Sequence, residues 1–315
     1  MFRYKFILYS LYLIALVPCT AHADEANLID ALQNTYRACA GIDDSLSDLK
    51  KMAGINTAIT GVGTGLGVGA TAVGIIKEKR DKELDEIVET LDEMGAIEIK
   101  SESQLYDVLA NAFDETEIPE GRAMADALRK EKERKIQESK RLGHWRTGLL
   151  AGNTATNVAG AIIAGQNRAN SDLQNQIDNC KNAVAELRRA RAQARIDKID
   201  TDEASTIISA CEGFETVDIS NINNRAQGAM ISSVVGAATG ITGTITSGVA
   251  NSDSVRNQGK GGARTDKEKN LNTASNVLAG ASTVASATAT VFNATQIKAI
   301  KDIAGIAARC TEALK

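Results

Sequence analysis

The sequence has very few of the residue types that carry most enzyme chemistry and that fill aromatic cores. Its 315 residues include two histidines, two prolines and one tryptophan, and aromatic residues make up 3% of the chain. Scarce histidine leaves little material for a general base or a zinc site, so we expect a non-enzymatic protein without cofactor or metal. Scarce proline lets helices run without interruption, and the sequence therefore predicts an all-α fold.

The few patterns that resemble catalytic or binding motifs are incomplete. The glycine run that begins at Gly61 has no strand before it and lacks the Gly-Lys-Ser/Thr that a phosphate-binding loop requires. His144 is the one histidine after residue 23, and Trp145 beside it indicates a packing or interfacial role. The formal net charge of −4 also argues against a nucleic-acid partner.

Residues 1–23 have the pattern of a secretory signal peptide. Arg3 and Lys5 precede an apolar run over Phe6–Val17, and Ala-His-Ala at positions 21–23 is a small-x-small cleavage site. We therefore expect an exported protein that is located in the periplasm or membrane of a cell envelope, or is secreted. Cysteines in such compartments form disulfides.

Four long stretches without a charged residue dominate the rest of the chain. In the first, Gly61, Gly65 and Gly69 recur at every fourth position, as in a glycine zipper. At about 1.5 Å per residue, a helix of this length spans roughly 35 Å, which is close to the thickness of a bilayer core. The four stretches are Gly54–Ile76, Gly148–Gly165, Ala226–Ala250 and Leu271–Ile297.

These stretches belong to an internal repeat. Cys39-Ala-Gly-Ile recurs as Cys211-Glu-Gly-Phe, and Leu150-Ala-Gly recurs as Leu278-Ala-Gly. The repeat predicts two duplicated antiparallel helical hairpins, coiled-coil-like, that together form a four-helix bundle or a four-helix membrane span. The predicted parts are a signal peptide at 1–23, a first hairpin at 24–197 with a charged arm at 77–147, and a second hairpin at 198–315.

The lengths of the hairpin arms predict how the four remaining cysteines pair. Each hairpin has outgoing and returning arms of nearly equal length, which brings the two cysteines at its base opposite each other. Pairing Cys180 with Cys211 instead would leave arms of about 20 and 11 residues, several helical turns out of register. We therefore expect the disulfides Cys39–Cys180 and Cys211–Cys310.

Glycines of the uncharged stretches are the predicted helix-packing residues. A glycine inside a helix costs about 1 kcal/mol relative to alanine, so these segments need a partner surface or lipid to remain helical. The predicted packing residues are Gly54, Gly61, Gly65, Gly69, Gly74, Gly152, Gly160, Gly228, Gly236, Gly240, Gly243, Gly248 and Gly280.

Several local boundaries follow from turn and capping signals. We expect a first helix over Asp24–Ala53, a capping box at Ser101–Gln104, a loop over Asp114–Gly121 and a flexible tip over Asn251–Arg264. The segment Thr265–Glu268 has the pattern of a second capping box, which would open the last helix.

Two environments remain open for the uncharged stretches. Small residues favour close helix association in lipid, and roughly twice as many Lys and Arg flank the tip-side ends as the base-side ends, as expected for cytoplasmic tips. Against this, Asn153, Asn157, Asn272 and Asn276 lower the hydropathy, and there is no aromatic belt, which favours a soluble bundle.

The expected functions and partners differ accordingly. The membrane hypothesis predicts a structural or assembly role through lipid contact or self-association of the Gly-rich helices, with a homo-oligomer as one outcome. The soluble hypothesis predicts a periplasmic or secreted scaffold that binds a protein partner through the charged arm. A pore-forming or membrane-disturbing secreted protein is a third and narrower hypothesis.

Overall fold

The computed structural model describes residues 25–93, 119–256 and 265–315, and this part of the chain is helical with no strand. The all-α class is therefore confirmed. The predicted signal peptide at 1–23, the capping box at Ser101–Gln104 and residues 257–264 of the predicted tip lie outside the described residues.

A glycine divides the predicted first helix into two. Helix α1 covers residues 25–39, and α2 covers Ile42–Glu93. Gly41 lies between them with φ of +81°, a left-handed conformation that glycine adopts without a Cβ clash and that commonly ends a helix. The expectation of one helix through Ala53 was therefore wrong at this point.

The third helix begins earlier than the predicted loop allowed. Helix α3 covers Pro119–Gln166. Proline suits the first turn of a helix, because its fixed φ is helical and its missing N–H is not needed there. Helix α4 covers Ser171–Ile196, and the side chain of Asn170 caps its start by accepting a hydrogen bond of 2.9 Å from the Leu173 amide.

Short elements precede each of the last two long helices. Helix α5 covers Asp202–Cys211 and is followed by a 3₁₀ helix, Glu212–Thr216. Helix α6 covers Ser220–Ala250, a helical turn (α7) covers Asp253–Arg256, and α8 covers Asp266–Ala313. The Thr265 hydroxyl accepts a hydrogen bond of 3.2 Å from the Glu268 amide, as in the first half of a capping box.

The described residues form two compact units. Unit 1 contains the described residues up to Ile55, Gly165–Gln227 and Asn293–Lys315, and unit 2 contains those of Asn56–Ala164 and Gly228–Phe292. Each unit thus takes residues from both halves of the internal repeat.

Unit 1 has the apolar core of an ordinary soluble domain. Large aliphatic side chains such as Leu46, Ile177, Leu187 and Ile300 are completely buried there, together with Phe214. Burying each of these side chains contributes roughly 1.5–3 kcal/mol, which makes apolar burial the main source of stability in this unit.

Unit 2 has a core of a different kind. Its buried apolar cluster is small, with Ala70, Leu150 and Ala279 at its centre. Buried positions nevertheless repeat along its helices with alternating spacings of three and four, which keeps them on one face of a helix. On α8 these positions are Asn272, Ser275, Ala279, Ser282, Ser286 and Ala289.

Candidate functional site

Two disulfides lie in the core of unit 1. Cys39 and Cys180 are joined with an S–S distance of 2.00 Å and a Cα–Cα distance of 4.7 Å. Cys211 and Cys310 are joined with corresponding distances of 1.99 and 4.6 Å. These are the two pairs that the arm lengths predict.

The two disulfides are also close to each other. The Sγ atoms of Cys39, Cys180 and Cys310 lie within 4.8 Å of one another in buried surroundings. A metal would require thiolates, and sulfur atoms engaged in disulfides do not supply them. The two disulfides therefore cross-link α1 to α4 and α5 to α8 within unit 1.

The interior of unit 2 contains a network of polar side chains. Asn153 and Asn157 on α3 and Ser282 and Ser286 on α8 are completely buried. The Asn153 amide donates to Ser282 at 3.0 Å, and the Asn157 amide donates to Ser286 at 2.8 Å. The Ser286 hydroxyl is also 3.0 Å from the Asn153 amide oxygen, so the four side chains satisfy one another away from solvent.

Backbone groups on α6 extend this network. The Ser282 hydroxyl donates to the carbonyl of Gly236 at 2.8 Å, and the Ser275 hydroxyl donates to the carbonyl of Gly243 at 3.1 Å. A Cβ atom at position 236 would lie 2.8 Å from the Asn157 side chain, a distance that forces a neighbour to move. Glycine is therefore what allows α6 to approach the polar side chains of α3 and α8.

Glycine contacts follow a different register from the predicted one. A Cβ at Gly54, Gly61, Gly65, Gly248 or Gly280 would meet nothing within 4 Å, so these predicted packing residues make no close contact within the described chain. Tight neighbours instead surround Gly63, Gly67, Gly143 and Gly213, which were not predicted. Of the predicted set, the glycines whose Cβ would meet an atom at 3.2 Å or less are Gly74, Gly152, Gly160, Gly228, Gly236, Gly240 and Gly243, while Gly69 has ordinary contact with Leu149 at 3.5 Å.

Helical geometry explains why the crowded glycines differ from the predicted ones. Four residues turn a helix by about 400°, so a strict spacing of four drifts by about 40° at each step. Gly61, Gly65 and Gly69 therefore move progressively around α2. The buried face follows alternating spacings of three and four through Gly63, Gly67, Ala70 and Gly74, which compensates for the drift.

Charged side chains are buried at one end of the network. Lys77 is 2% exposed and donates to the carboxylate of Asp81 at 3.1 Å. Arg146 is 1% exposed, and its Nε would lie 3.0 Å from a Cβ at Gly74. Because a buried ion is costly unless paired, the pairing of Lys77 with Asp81 is what makes its burial tolerable.

The exterior of unit 2 is apolar where that of a soluble bundle would be polar. Branched aliphatic side chains point outward from all four long helices, with Val284 on α8 at 67% exposed. The exposed set is Val62, Val68, Ile75, Ile76, Val158, Ile162, Ile231, Val234, Val235, Ile241, Ile245, Val249, Val277, Val284 and Val291. Within its uncharged stretches, unit 2 thus has branched aliphatic side chains outside, and asparagine and serine side chains inside together with small apolar residues.

Three helical stretches of the described chain are long and apolar enough to cross a membrane, judged by length and composition. They are Glu25–Lys82, Ser220–Ala250 and Asp266–Ala313. The uncharged part of α3 contains Asn153, Thr154, Thr156 and Asn157, which lower its hydropathy, although two of these side chains are buried.

The polar interior could have been found from the sequence. Arg146, Leu150, Asn153, Asn157 and Gly160 follow one another at spacings of four, three, four and three, which places them on one face of α3. In a hydropathy average, these asparagines only lower the mean. Their position on the buried face carries more information than their number.

His144 and Trp145 are both exposed on α3, next to the end of its uncharged stretch. Neither contributes to the polar network of Asn153, Asn157, Ser282 and Ser286.

No protein-family model, no curated protein and no solved structure matches this chain.

Proposed function

We propose that unit 2 is a four-helix membrane span and that the protein is an exported, non-enzymatic component of a cell envelope that acts through helix association. The observation that carries this proposal is the reversed distribution of side chains in unit 2. In its uncharged stretches, valine and isoleucine side chains are exposed, whereas asparagine and serine side chains are buried together with glycine and alanine.

Physical chemistry favours lipid as the surroundings of such a unit. In water, each of the exposed valine and isoleucine side chains would leave apolar surface in contact with solvent, at a cost of roughly 1–2 kcal/mol each. In lipid this cost disappears. Helices there associate through small residues and interhelical hydrogen bonds, which are the contacts that Gly236, Asn157 and Ser286 make.

The disulfides support the second part of the proposal. Unit 1 contains Cys39–Cys180 and Cys211–Cys310 in an apolar core, and such bonds persist in oxidising compartments. We therefore propose that unit 1 lies in the periplasm or an equivalent compartment. The role of the protein would then be structural or in assembly, with the buried glycine faces holding each chain together.

Membrane permeation is a second candidate function. Its support is that buried polar groups occur at successive levels of unit 2, from Thr60 and Ser233 through Asn157 to Lys77 and Asn272. A modest separation of the helices would line a water path with these groups. Ion conductance across a planar bilayer containing the purified chain tests this candidate, and an electrically silent bilayer at high protein density contradicts it.

A soluble scaffold would require the apolar exterior to be covered by protein. Expression of the full precursor in a Gram-negative host, followed by alkaline carbonate washing of the membranes, distinguishes the two environments. We expect the chain to stay in the washed membranes, as a known integral membrane protein does in the control. Release together with a known peripheral protein would contradict the membrane proposal.

A further inference from the structure

The two disulfides of unit 1 lie side by side in its core. The Sγ atoms of Cys39, Cys180 and Cys310 lie within 4.8 Å of one another, although Cys310 is bonded to Cys211. Cys211 lies outside this group of three, which we call the sulfur cluster. Cys310 is therefore the sulfur of the second disulfide that lies near both sulfurs of the first.

The apolar core of unit 1 keeps the sulfur cluster away from solvent. Cys180 is completely buried, and Cys39 and Cys310 are 2% and 1% exposed. A thiol set free here by the opening of one disulfide lies beside the other disulfide, whereas a thiol in solution reaches it only when unit 1 opens locally. Proximity therefore favours reaction between the two disulfides.

Exchange within the sulfur cluster would change which helices are joined. Cys39 on α1 and Cys180 on α4 belong to the first half of the internal repeat, and Cys310 on α8 belongs to the second. Each disulfide joins two helices of the same half. A bond from Cys310 to either cysteine of the first half would instead tie the two halves together and leave α5 without a cross-link.

We propose that Cys310 is an exchange residue, through which the opening of Cys211–Cys310 is passed on to Cys39–Cys180. The reductant is a dithiol of the class that thiol–disulfide isomerases carry in compartments where disulfides form. The inference concerns unit 1 alone, so it does not depend on the surroundings of unit 2. It assigns to the two disulfides a redox-sensitive change of connectivity in addition to their role as cross-links.

The exchange proceeds in balanced steps. One thiolate of the dithiol attacks the sulfur of Cys211, the S–S bond to Cys310 breaks, and Cys310 leaves as a thiolate. This thiolate attacks the sulfur of Cys39 or Cys180, and the other of these two leaves with the electron pair of their S–S bond and takes up a proton. The second thiol of the dithiol then attacks the mixed disulfide and releases the thiol of Cys211. The dithiol is oxidised by two electrons, and unit 1 keeps one disulfide and gains two thiols.

A variant that leaves Cys310 without its partner tests the exchange. Cys211→Ser is made in a full chain that also carries Cys19→Ser, so that Cys310 is the one cysteine outside the pair Cys39–Cys180. The purified chain is incubated without added thiol at about pH 8.5, near the ordinary pKa of a thiol. It is then alkylated in acid and digested without reductant, and mass spectrometry identifies the bonded peptides. We expect bonds from Cys310 to Cys39 or Cys180 to accumulate with time.

The size of the expected effect follows from the equilibrium between the pairings. A bond that is less stable than Cys39–Cys180 by about 1.4 kcal/mol is still about a tenth as abundant. Because the three sulfurs of the cluster already lie close together, we expect the new bonds in at least about a tenth of the chains. Incubation at about pH 4 should give no increase, since the thiolate is the attacking species.

The matched control exchanges the roles of the two cysteines of the second disulfide. Cys310→Ser with Cys19→Ser leaves Cys211 as the free thiol and keeps the number of cysteines the same. Because Cys211 lies outside the sulfur cluster, its bonds to Cys39 or Cys180 should be at least about tenfold less abundant. Random pairing during oxidation of the unfolded chain affects both variants, so the difference between them reports position in folded unit 1.

Limited reduction gives a second measurement in which both disulfides are present at the start. The chain with Cys19→Ser alone is treated briefly with dithiothreitol, acidified and alkylated. It should yield chains with one disulfide in which Cys310 is bonded to Cys39 or Cys180 and Cys211 is free.

Two results would overturn the inference. One is an equal amount of new bonds in the Cys211→Ser and Cys310→Ser variants, because position in the folded core would then have no effect. The other is a set of one-disulfide chains that contains only Cys39–Cys180 and Cys211–Cys310, because each disulfide would then open without reacting with its neighbour.

Discussion

Two glycines on opposite faces of α2 provide a matched pair for testing the packing of unit 2. Gly67 is buried, and a Cβ there would clash with the Thr283 hydroxyl and lie 2.9 Å from the Asn153 amide nitrogen. Gly65 is exposed, and a Cβ there would meet nothing within 4 Å. Replacing each glycine by leucine introduces the same side chain at two positions that are only two residues apart in sequence.

The expected difference in stability follows from the one term that the two variants do not share. Both exchange a helical glycine for leucine, and the gain of up to about 1 kcal/mol in helix propensity is common to them. Gly67→Leu must in addition displace Thr283 and Asn153, and overpacking of this kind costs about 1–3 kcal/mol. The free energy of unfolding of the Gly67 variant should therefore be lower than that of the Gly65 variant by about this amount.

Equilibrium unfolding in mixed detergent micelles, followed by far-UV circular dichroism, measures the difference. Gly65→Leu should unfold at the same or a higher denaturing detergent fraction than the wild type. Gly67→Leu should unfold at a clearly lower one. Equal stability of the two variants, or a larger loss in Gly65→Leu, would refute the assigned register of α2.

Three further predictions concern unit 1. Gly41→Ala should lower the free energy of unfolding by about 1–2 kcal/mol, because alanine is strained at the φ of +81° found there; an unchanged denaturation midpoint would contradict this. Reduction of Cys39–Cys180, which joins residues separated by 141 positions, should cost about 2–5 kcal/mol, and peptide mapping without reductant should recover this pair and not Cys180–Cys211. The hydroxyl and the amide of Ser220 donate to Asp218 and lower the pKa of its carboxyl. The resulting stabilisation is present above the ordinary carboxyl pKa and is lost as pH falls through the lower folded-state value, so an NMR titration of Asp218 should have its midpoint below about 3.9.

The sequence was most informative about the features that a single residue type determines, namely the fold class and the cysteine pairs. The low proline content predicted the all-α class, which the helices from α1 to α8 confirm. Equal arm lengths predicted the two cysteine pairs that unit 1 contains. For the fold class, the constraint is that helices with few prolines continue without interruption. For the cysteine pairs, it is the short distance that a disulfide can span. Each constraint leaves few alternatives.

Side-chain register was harder to predict, because it depends on which helices become neighbours. The regular spacing of Gly61, Gly65 and Gly69 suggested a packing face, yet the contacts involve Gly63 and Gly67. Glycine tolerates both a crowded and an open position, so its presence alone does not identify a contact. Polar residues at spacings of three and four, such as Asn153 and Asn157, identify the buried face of α3 more reliably.

Mean hydropathy does not record which way the polar side chains of a stretch face. Asn153, Asn157 and Asn272 lowered the hydropathy of their stretches and favoured a soluble bundle. All three are buried in unit 2, whereas Val158 and Val277 near them in sequence are exposed. The burial of these polar side chains inside unit 2 supports the proposed lipid surroundings.

We propose that the exterior of unit 2 faces lipid, and spin-label accessibility measures this directly. A nitroxide is attached at Val284→Cys in the full chain reconstituted into vesicles, and its collisions with oxygen and with a water-soluble nickel chelate are compared. Asp302→Cys, an exposed position of unit 1, serves as the aqueous control. We predict high oxygen and low nickel accessibility at position 284, with the reverse at 302; nickel accessibility at 284 equal to that at 302 would contradict the account.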